Sequence, residues 1–212
     1  DLDLGYLNER LVCAHCRCMA PREERILGQA KAVVSFNSAI AARRGLSPRI
    51  HDLEQHGCTI AMGSDNMAED MVEVMRTGLF MERIRRENGR EPTPEHALRW
   101  ATRNGYKALG VTDGGFLKEG NRADLVMIDL QRPHLVPVLR VVSDFVHNGQ
   151  ARDVRSVMVD GNWLMRDGKV LTIDEDEVVA SAQAIARAAW SRHLKERLGA
   201  KPPAGFDPAA LP

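Results

Sequence analysis

A parallel α/β fold is predicted for this chain of 212 residues, on three observations. Short apolar runs alternate with polar, helix-like segments; the runs are apolar almost without interruption, as in strands covered on both faces; and 44% apolar residues supply a real core at this length. The runs are Leu11 to Cys16 (LVCAHC), Ala32 to Asn37 (AVVSFN) and Thr59 to Asp65 (TIAMGSD), with PREERILGQA and SPRIHDLEQHG between them. Strands separated by helices read as parallel βαβ units with right-handed crossovers. Ser47 before Pro48 is expected to start the second intervening helix, serine as the cap and proline in the first turn, and Gly57 to stop it.

Two helical stretches follow. In the first, Met71, Met75 and Leu79 recur at helical spacing, and the charged run ERIRREN at its end is expected to be a solvated face. The second opens on Thr93-Pro94-Glu95, a cap, a first-turn proline and a favourable acid, and is expected to carry Leu98, Ala101 and Leu109 as far as Gly110. From Gly120 the texture changes. ADLVMIDL, DFVHN and VRSVMVDGNWLMRDGKVLTID read as short strands, with Asp160-Gly161 and Asp167-Gly168 as hairpin turns. A small antiparallel module is implied. The end is helical again, with a cap at Asp174 opposite Glu177 and an apolar face of Val178, Ala182, Ile185 and Ala189; the Pro-rich tail from Lys201 to Pro212 is expected to lie extended along a partner surface.

Composition narrows the function. Lys plus Arg number 29, as do Asp plus Glu, and the two signs are interspersed, so nucleic acid and anionic membrane surfaces are not expected as partners. No apolar run approaches the roughly 20 residues of a membrane span, and a signal-peptide pattern is absent from the start. A cytoplasmic protein acting on a small-molecule substrate is expected. The four cysteines do not make a disulfide framework at this size. A start at Asp1 that runs almost at once into a strand suggests a piece of something longer.

In parallel α/β folds, polar residues at the carboxyl ends of strands line the active site. His15 and Asp65 meet that condition at two strand ends. Asp65 could instead cap the next helix, and His15 could be a satisfied core residue; the two together favour a site. CAHCRC has a rival reading as a zinc knot or redox dithiol. Strand alternation argues against it by setting Cys13 and His15 on one face and Cys16 on the other, and no second Cys pair follows, only Cys58. His51, His56, His96, His134, His147 and His193 lack ligand spacing and are expected at the surface or in packing.

LVCAHC, VVSFNSAIAARRG, CTIAMGSDNMAEDMVEVMR, TPEHALRWATRNGYKALG, GFLKEGNRADLVMIDL and VRSVMVDGNWLMRDGKV, in this order and spacing, resemble the C-terminal half of the amidohydrolase superfamily. The branch is the one that contains cytosine, guanine and S-adenosylhomocysteine deaminases and the triazine hydrolases. The resemblance implies the C-terminal part of a metal-dependent (β/α)8 TIM barrel (strands six to eight) in residues 1–119, part of a small β-sandwich domain in 120–173, and a C-terminal helix and tail in 174–212. It implies that Asp65, in a GSD like the family's GTD, ligates one divalent metal ion, zinc or iron, and shuttles a proton from the hydrolytic water to the leaving amine. His15 would hydrogen-bond that water and stabilise developing charge. A divalent cation lowers the pKa of bound water from about 15.7 toward 7, which makes this chemistry feasible at neutral pH.

Two departures accompany the resemblance. Family members often carry His-Asn-Pro or His-Cys-Pro followed by Ser-Asn after strand seven; here Phe36 stands in place of that histidine and Ile40-Ala41 in place of Ser-Asn. Substrate contacts are therefore expected to be altered there, at Phe36 and Asn37, while Asn66 and Asp70 line the loop after strand eight. The family's other metal-binding histidines have no counterpart, and one ligand is too few for a catalytic centre. The expected activity is hydrolysis of a carbon-nitrogen bond in a cyclic amidine-type substrate (purine, pyrimidine, pterin or triazine), deamination above all. The alternatives are a chlorohydrolase using the same site, or a non-catalytic half-barrel that forms a homo-oligomer or pairs with a complementary N-terminal half to cover its strand edges.

Overall fold

The computed structural model describes residues 4–66, 69–196 and 204–205. β1 (Val12–Ala14), β2 (Val33–Phe36) and β3 (Thr59–Met62) form a parallel sheet in that order. α1 (Pro21–Gln29) makes the first crossover, and α2 (Ser38–Arg43) with α3 (Ile50–Gln55) makes the second. Val33, Val34, Phe36, Thr59, Ile60 and Ala61 are buried, as continuous apolar runs predict. β1 departs from that expectation: Val12 and Ala14 are exposed, because among the described residues β2 is its sole neighbour and β1 is an open edge. Each strand ends before the polar residues of its run, so His15, Asn37 and Asp65 all lie just past the carboxyl ends, Asn37 as the residue that opens α2.

The start of α3 corrects the sequence reading. The helix begins at Ile50, and the Ser47 hydroxyl bonds the neighbouring Pro48 carbonyl instead of capping. The first-turn amide of His51 donates to the Glu82 carboxylate at 3.2 Å. Glu82 belongs to α4 (Met71–Arg85), which packs Val72, Met75 and Leu79 on the core. The solvated face expected of ERIRREN therefore fails at Glu82, which is fully buried. Its carboxylate pairs with Arg85, Arg85 reaches Asp52 of α3 at 3.3 Å, and Arg49 joins Asp52 at 3.9 Å to the buried Glu24 of α1 at 2.8 Å. Three helices are thus stitched by one alternating row of charges. Gly57 stops α3 as predicted, at φ +111°, and a Cβ there would lie 2.8 Å from the Gly28 carbonyl oxygen.

α5 (Pro94–Ala101) starts at the predicted cap, with the Thr93 amide donating to His96 Nδ1 at 3.1 Å. It does not run on to Gly110. The chain breaks at Thr102, and α6 (Arg103–Ala108) turns so that Asn104 Nδ2 donates to the Ile60 carbonyl of β3 at 2.6 Å. Leu109, expected in the core, is consequently exposed.

A second, antiparallel sheet runs β4 (Leu125–Ile128), β5 (Val154–Val159), β6 (Asn162–Arg166), β7 (Lys169–Val170). Asp160, Gly161, Asp167 and Gly168 all have φ between 49° and 82°, the backbone that tight two-residue hairpin turns require. DFVHN is not a strand but the end of α7 (Val141–Asn148), whose Phe145 and Val146 are buried. Asp144 accepts the amides of Leu139 and Arg140 at one end, while Arg76 donates to the Val146 and Gly149 carbonyls at the other. α8 (Glu175–Glu196) starts with Asp174 accepting the Glu177 amide at 3.1 Å. Its Val178, Ala182, Ile185 and Ala189 face is exposed. Apart from Ala204 and Gly205, the tail from Lys201 to Pro212 lies outside the described residues. Among the described residues no helix is long and apolar enough to cross a membrane.

Asp153, fully buried beside β5, accepts from His134 and from the Gln150 amide, each at 2.8 Å. Burial alone would push its carboxyl up, but the His134 and Gln150 hydrogen bonds and the nearby Arg132 together hold it below the ordinary aspartate range. A depressed folded pKa contributes stability above the unfolded value of about 3.9 and loses it as pH falls through the folded value. Unfolding titrations below about pH 4 are therefore expected to show an acid loss that Asp153→Asn flattens; an unchanged acid slope in that variant would contradict the assignment.

Candidate active site at the ends of the parallel strands

Both proposed catalytic groups occupy strained turns. His15 follows β1 at φ 70° and Asp65 lies just past β3 at φ 54°. Non-glycine residues in this left-handed region cost about 1–2 kcal/mol each and persist where surrounding contacts hold them, frequently at functional sites. The turns aim both side chains at one point: His15 Nε2 lies 3.3 Å from Asp65 Oδ2, with side chains 30% and 25% exposed. Their tips converge, and solvent can reach them. Asp65 Oδ1 accepts the Asn66 amide at 2.6 Å, which fixes the carboxylate from the other side.

Behind the imidazole lies a second layer that the sequence reading missed. Asn37, directly after β2 and 9% exposed, places its amide nitrogen 3.3 Å from His15 Nδ1. Ser35, inside β2, donates its hydroxyl to Asn37 Oδ1 at 3.0 Å. Gly63 makes room for the pair, since a Cβ there would stand 2.5 Å from Asn37 Oδ1 and 3.3 Å from Ser35 Oγ. The available signal was Ser35, a polar residue inside the strand Val33–Phe36, and a glycine two residues before Asp65.

The residues expected to touch substrate are placed differently. Phe36 is fully buried, with its ring in the core beneath Gly78, and so offers no surface to a ligand; the strand's alternation turns it away from the site. Asn37 spends its amide on His15 and Ser35. Asp70 caps α4, with Oδ1 accepting from Val72 and Glu73 and Oδ2 from Ala151. Asn66 is exposed beside Asp65. Met67 and Ala68 lie outside the described residues.

The cysteines do not form the rival centre. The turn at His15 and Cys16 brings Cys16 back beside Cys13, with its thiol 3.9 Å from the Cys13 carbonyl, so alternation does not separate them as expected. Burial first, and then the neighbouring Cys13, pushes the Cys16 thiol up to about 12, and burial pushes Cys58 up to about 11. Such thiols are poor nucleophiles at neutral pH. Among the described residues no group of three or more His, Cys, Asp or Glu could hold a metal. The Asp65 carboxylate, aimed at an accessible point, nevertheless suits one ligand of a zinc or iron centre.

A parallel sheet that brings an acid and an imidazole together at its carboxyl end places them where functional residues gather in parallel α/β folds. Residues 2–164 match the amidohydrolase family, and the chain belongs to it. It is 32% identical over 196 residues to a 5'-deoxyadenosine deaminase of Methanosarcina mazei, covering 90% of this chain and 45% of that protein. It is equally 32% identical over 192 residues to a 5-methylthioadenosine/S-adenosylhomocysteine deaminase of Syntrophus aciditrophicus, covering 87% and 43%. Among solved structures, an adenosine deaminase from Xanthomonas campestris with bound zinc superposes with a TM-score of 0.81 at 21% identity, over 92% of this chain and 45% of that one. A zinc complex of atrazine chlorohydrolase from Arthrobacter aurescens gives 0.77 at 24% identity, over 86% and 42%. The chain spans about half the length of the curated relatives it matches.

Proposed function

We propose that this chain forms part of a metal-dependent hydrolase that deaminates an aminated purine nucleoside, with β1, β2 and β3 as strands six, seven and eight of a (β/α)8 barrel. In this reading residues 1–119 belong to the barrel, 120–173 to the small β domain, and 174–212 form the terminal helix and tail. The observation that carries the reading is the 3.3 Å approach of His15 Nε2 to Asp65 Oδ2 in solvent-accessible turns. Named deaminases among the relatives support the substrate class. Asp65 would hold a divalent cation, with further ligands supplied by residues other than those described. Such a cation, when bound, lowers the pKa of a coordinated water from about 15.7 toward 7.

The chain's own groups supply the proton movements. Asp65 takes a proton from the attacking water as its oxygen bonds to the amidine carbon, then passes it to the amine, which leaves as ammonia when the carbon-nitrogen bond breaks. The His15 Nε2–H donates a hydrogen bond to the attacking oxygen and stabilises the charge that builds in the tetrahedral adduct. Asn66, exposed at the rim, would contact the substrate. The protein carrying this chain is expected to release ammonia from 5'-deoxyadenosine or S-adenosylhomocysteine, to lose activity on chelation and to regain it with zinc. Ammonia from neither nucleoside, with chloride released from a chlorotriazine, would move the reading to the chlorohydrolase branch.

The open β1 edge supports a second element of this reading, that further strands complete the sheet. They would come from more of the same polypeptide or from another copy. A metal-free oligomer without turnover would favour a purely structural half-barrel.

A further inference from the structure

We propose that Ser35 and Asn37 are positioning residues that fix the tautomer and aim of the His15 ring, and that Gly63 is the clearance on which they depend. The inference rests on the proposed role of His15 for its catalytic meaning and on geometry alone for the tautomer. A carboxylate only accepts hydrogen bonds. Asp65 Oδ2, 3.3 Å from His15 Nε2 in an ion-pair contact, favours the proton on that nitrogen. In a neutral ring Nδ1 is then an acceptor and needs a donor. The amide nitrogen of Asn37, 3.3 Å away, is that donor.

The amide must keep its nitrogen toward the ring, which requires a donor for its oxygen. Ser35 meets the requirement by offering its hydroxyl to Asn37 Oδ1 at 3.0 Å. Hydrogen bonds thus run from Ser35 to Asn37 to His15, which leaves the ring proton on Nε2, facing Asp65. Asn37 is 9% exposed, so water competes poorly for its amide. Gly63 packs so closely on both partners that a β-carbon there would stand 2.5 Å from Asn37 Oδ1 and push the amide out of this pose. Backbone at Gly63 is not in the left-handed region, so alanine is tolerated by the chain itself and acts only through that overlap.

The test labels the histidine ring nitrogens of the intact protein and records which carries hydrogen above the ordinary histidine titration range, with a His15→Gln protein identifying the resonance. The expected result is hydrogen on Nε2 and none on Nδ1. In Asn37→Asp the new carboxylate oxygen accepts where the amide donated, so Nδ1 is expected to gain a proton. Asn37→Leu and Gly63→Ala are expected to leave a mixture of the two tautomers. Where the protein turns over a nucleoside, Asn37→Leu is expected to lower kcat by about tenfold to a hundredfold with KM little changed. Hydrogen on Nδ1 in the unaltered protein, or a tautomer that none of the three variants moves, would overturn the proposal. Absence of turnover with the expected tautomer shifts would instead count against the deaminase reading alone.

Discussion

The Asp65→Asn protein is expected to lose about a thousandfold or more in turnover of an adenine nucleoside while melting close to the unaltered protein. The separation of effects follows from the turn. Asparagine is among the few residues that tolerate a left-handed φ such as the 54° at this position. Its side-chain oxygen can still accept the Asn66 amide, now bonded at 2.6 Å. What asparagine cannot do is receive a proton from water, return it to a leaving amine or neutralise a cation. Steady-state ammonia release and thermal melting of the two proteins measure the difference. Activity within tenfold of the original would remove Asp65 from the mechanism.

Glu82→Ala is expected to have the largest effect on folding, about 3 kcal/mol, because it strips a buried carboxylate from its cation. For a chain of this size that corresponds to a melting temperature lower by about 6–12 °C. Two losses combine. Arg85 keeps only Asp52, at 3.3 Å and partly exposed, and the first turn of α3 loses the acceptor for the His51 amide. A double change, Glu82→Ala with Arg85→Met, is expected to recover part of the loss, since the stranded charge goes with its partner. A loss under about 1 kcal/mol for the single variant would mean that solvent already screens the pair.

The parallel strands, the α5 cap and both Asp-Gly hairpins were legible because each depends on residues adjacent in sequence. So was the position of His15 and Asp65, each just past the end of a recognisable strand. The errors share a cause. The α3 cap comes from Glu82, more than thirty residues downstream, so local chemistry pointed to Ser47 instead. The same contact buries a carboxylate that a charged run disguised as solvated. α7 was mistaken for a strand because DFVHN was read alone, without the Val141 and Val142 that reveal its helical spacing. The turn of α6 toward β3 depends on Asn104 reaching the Ile60 carbonyl, a contact no periodicity encodes. At the site, the layer behind His15 left only the signals of Ser35 and Gly63, because its members come from two strands and meet only when β2 and β3 pair.

Asp70 has a mechanical consequence. Five residues after Asp65, its one carboxylate grips both the first turn of α4 and the backbone of Ala151, just ahead of β5. The small β layer is therefore tethered to the segment that carries Asp65, and tilting it would tug on that segment. Chimeras that exchange this layer between relatives inherit the constraint: they need a backbone N–H opposite Asp70, so proline at position 151 would cut the tether without altering any group at the reaction centre.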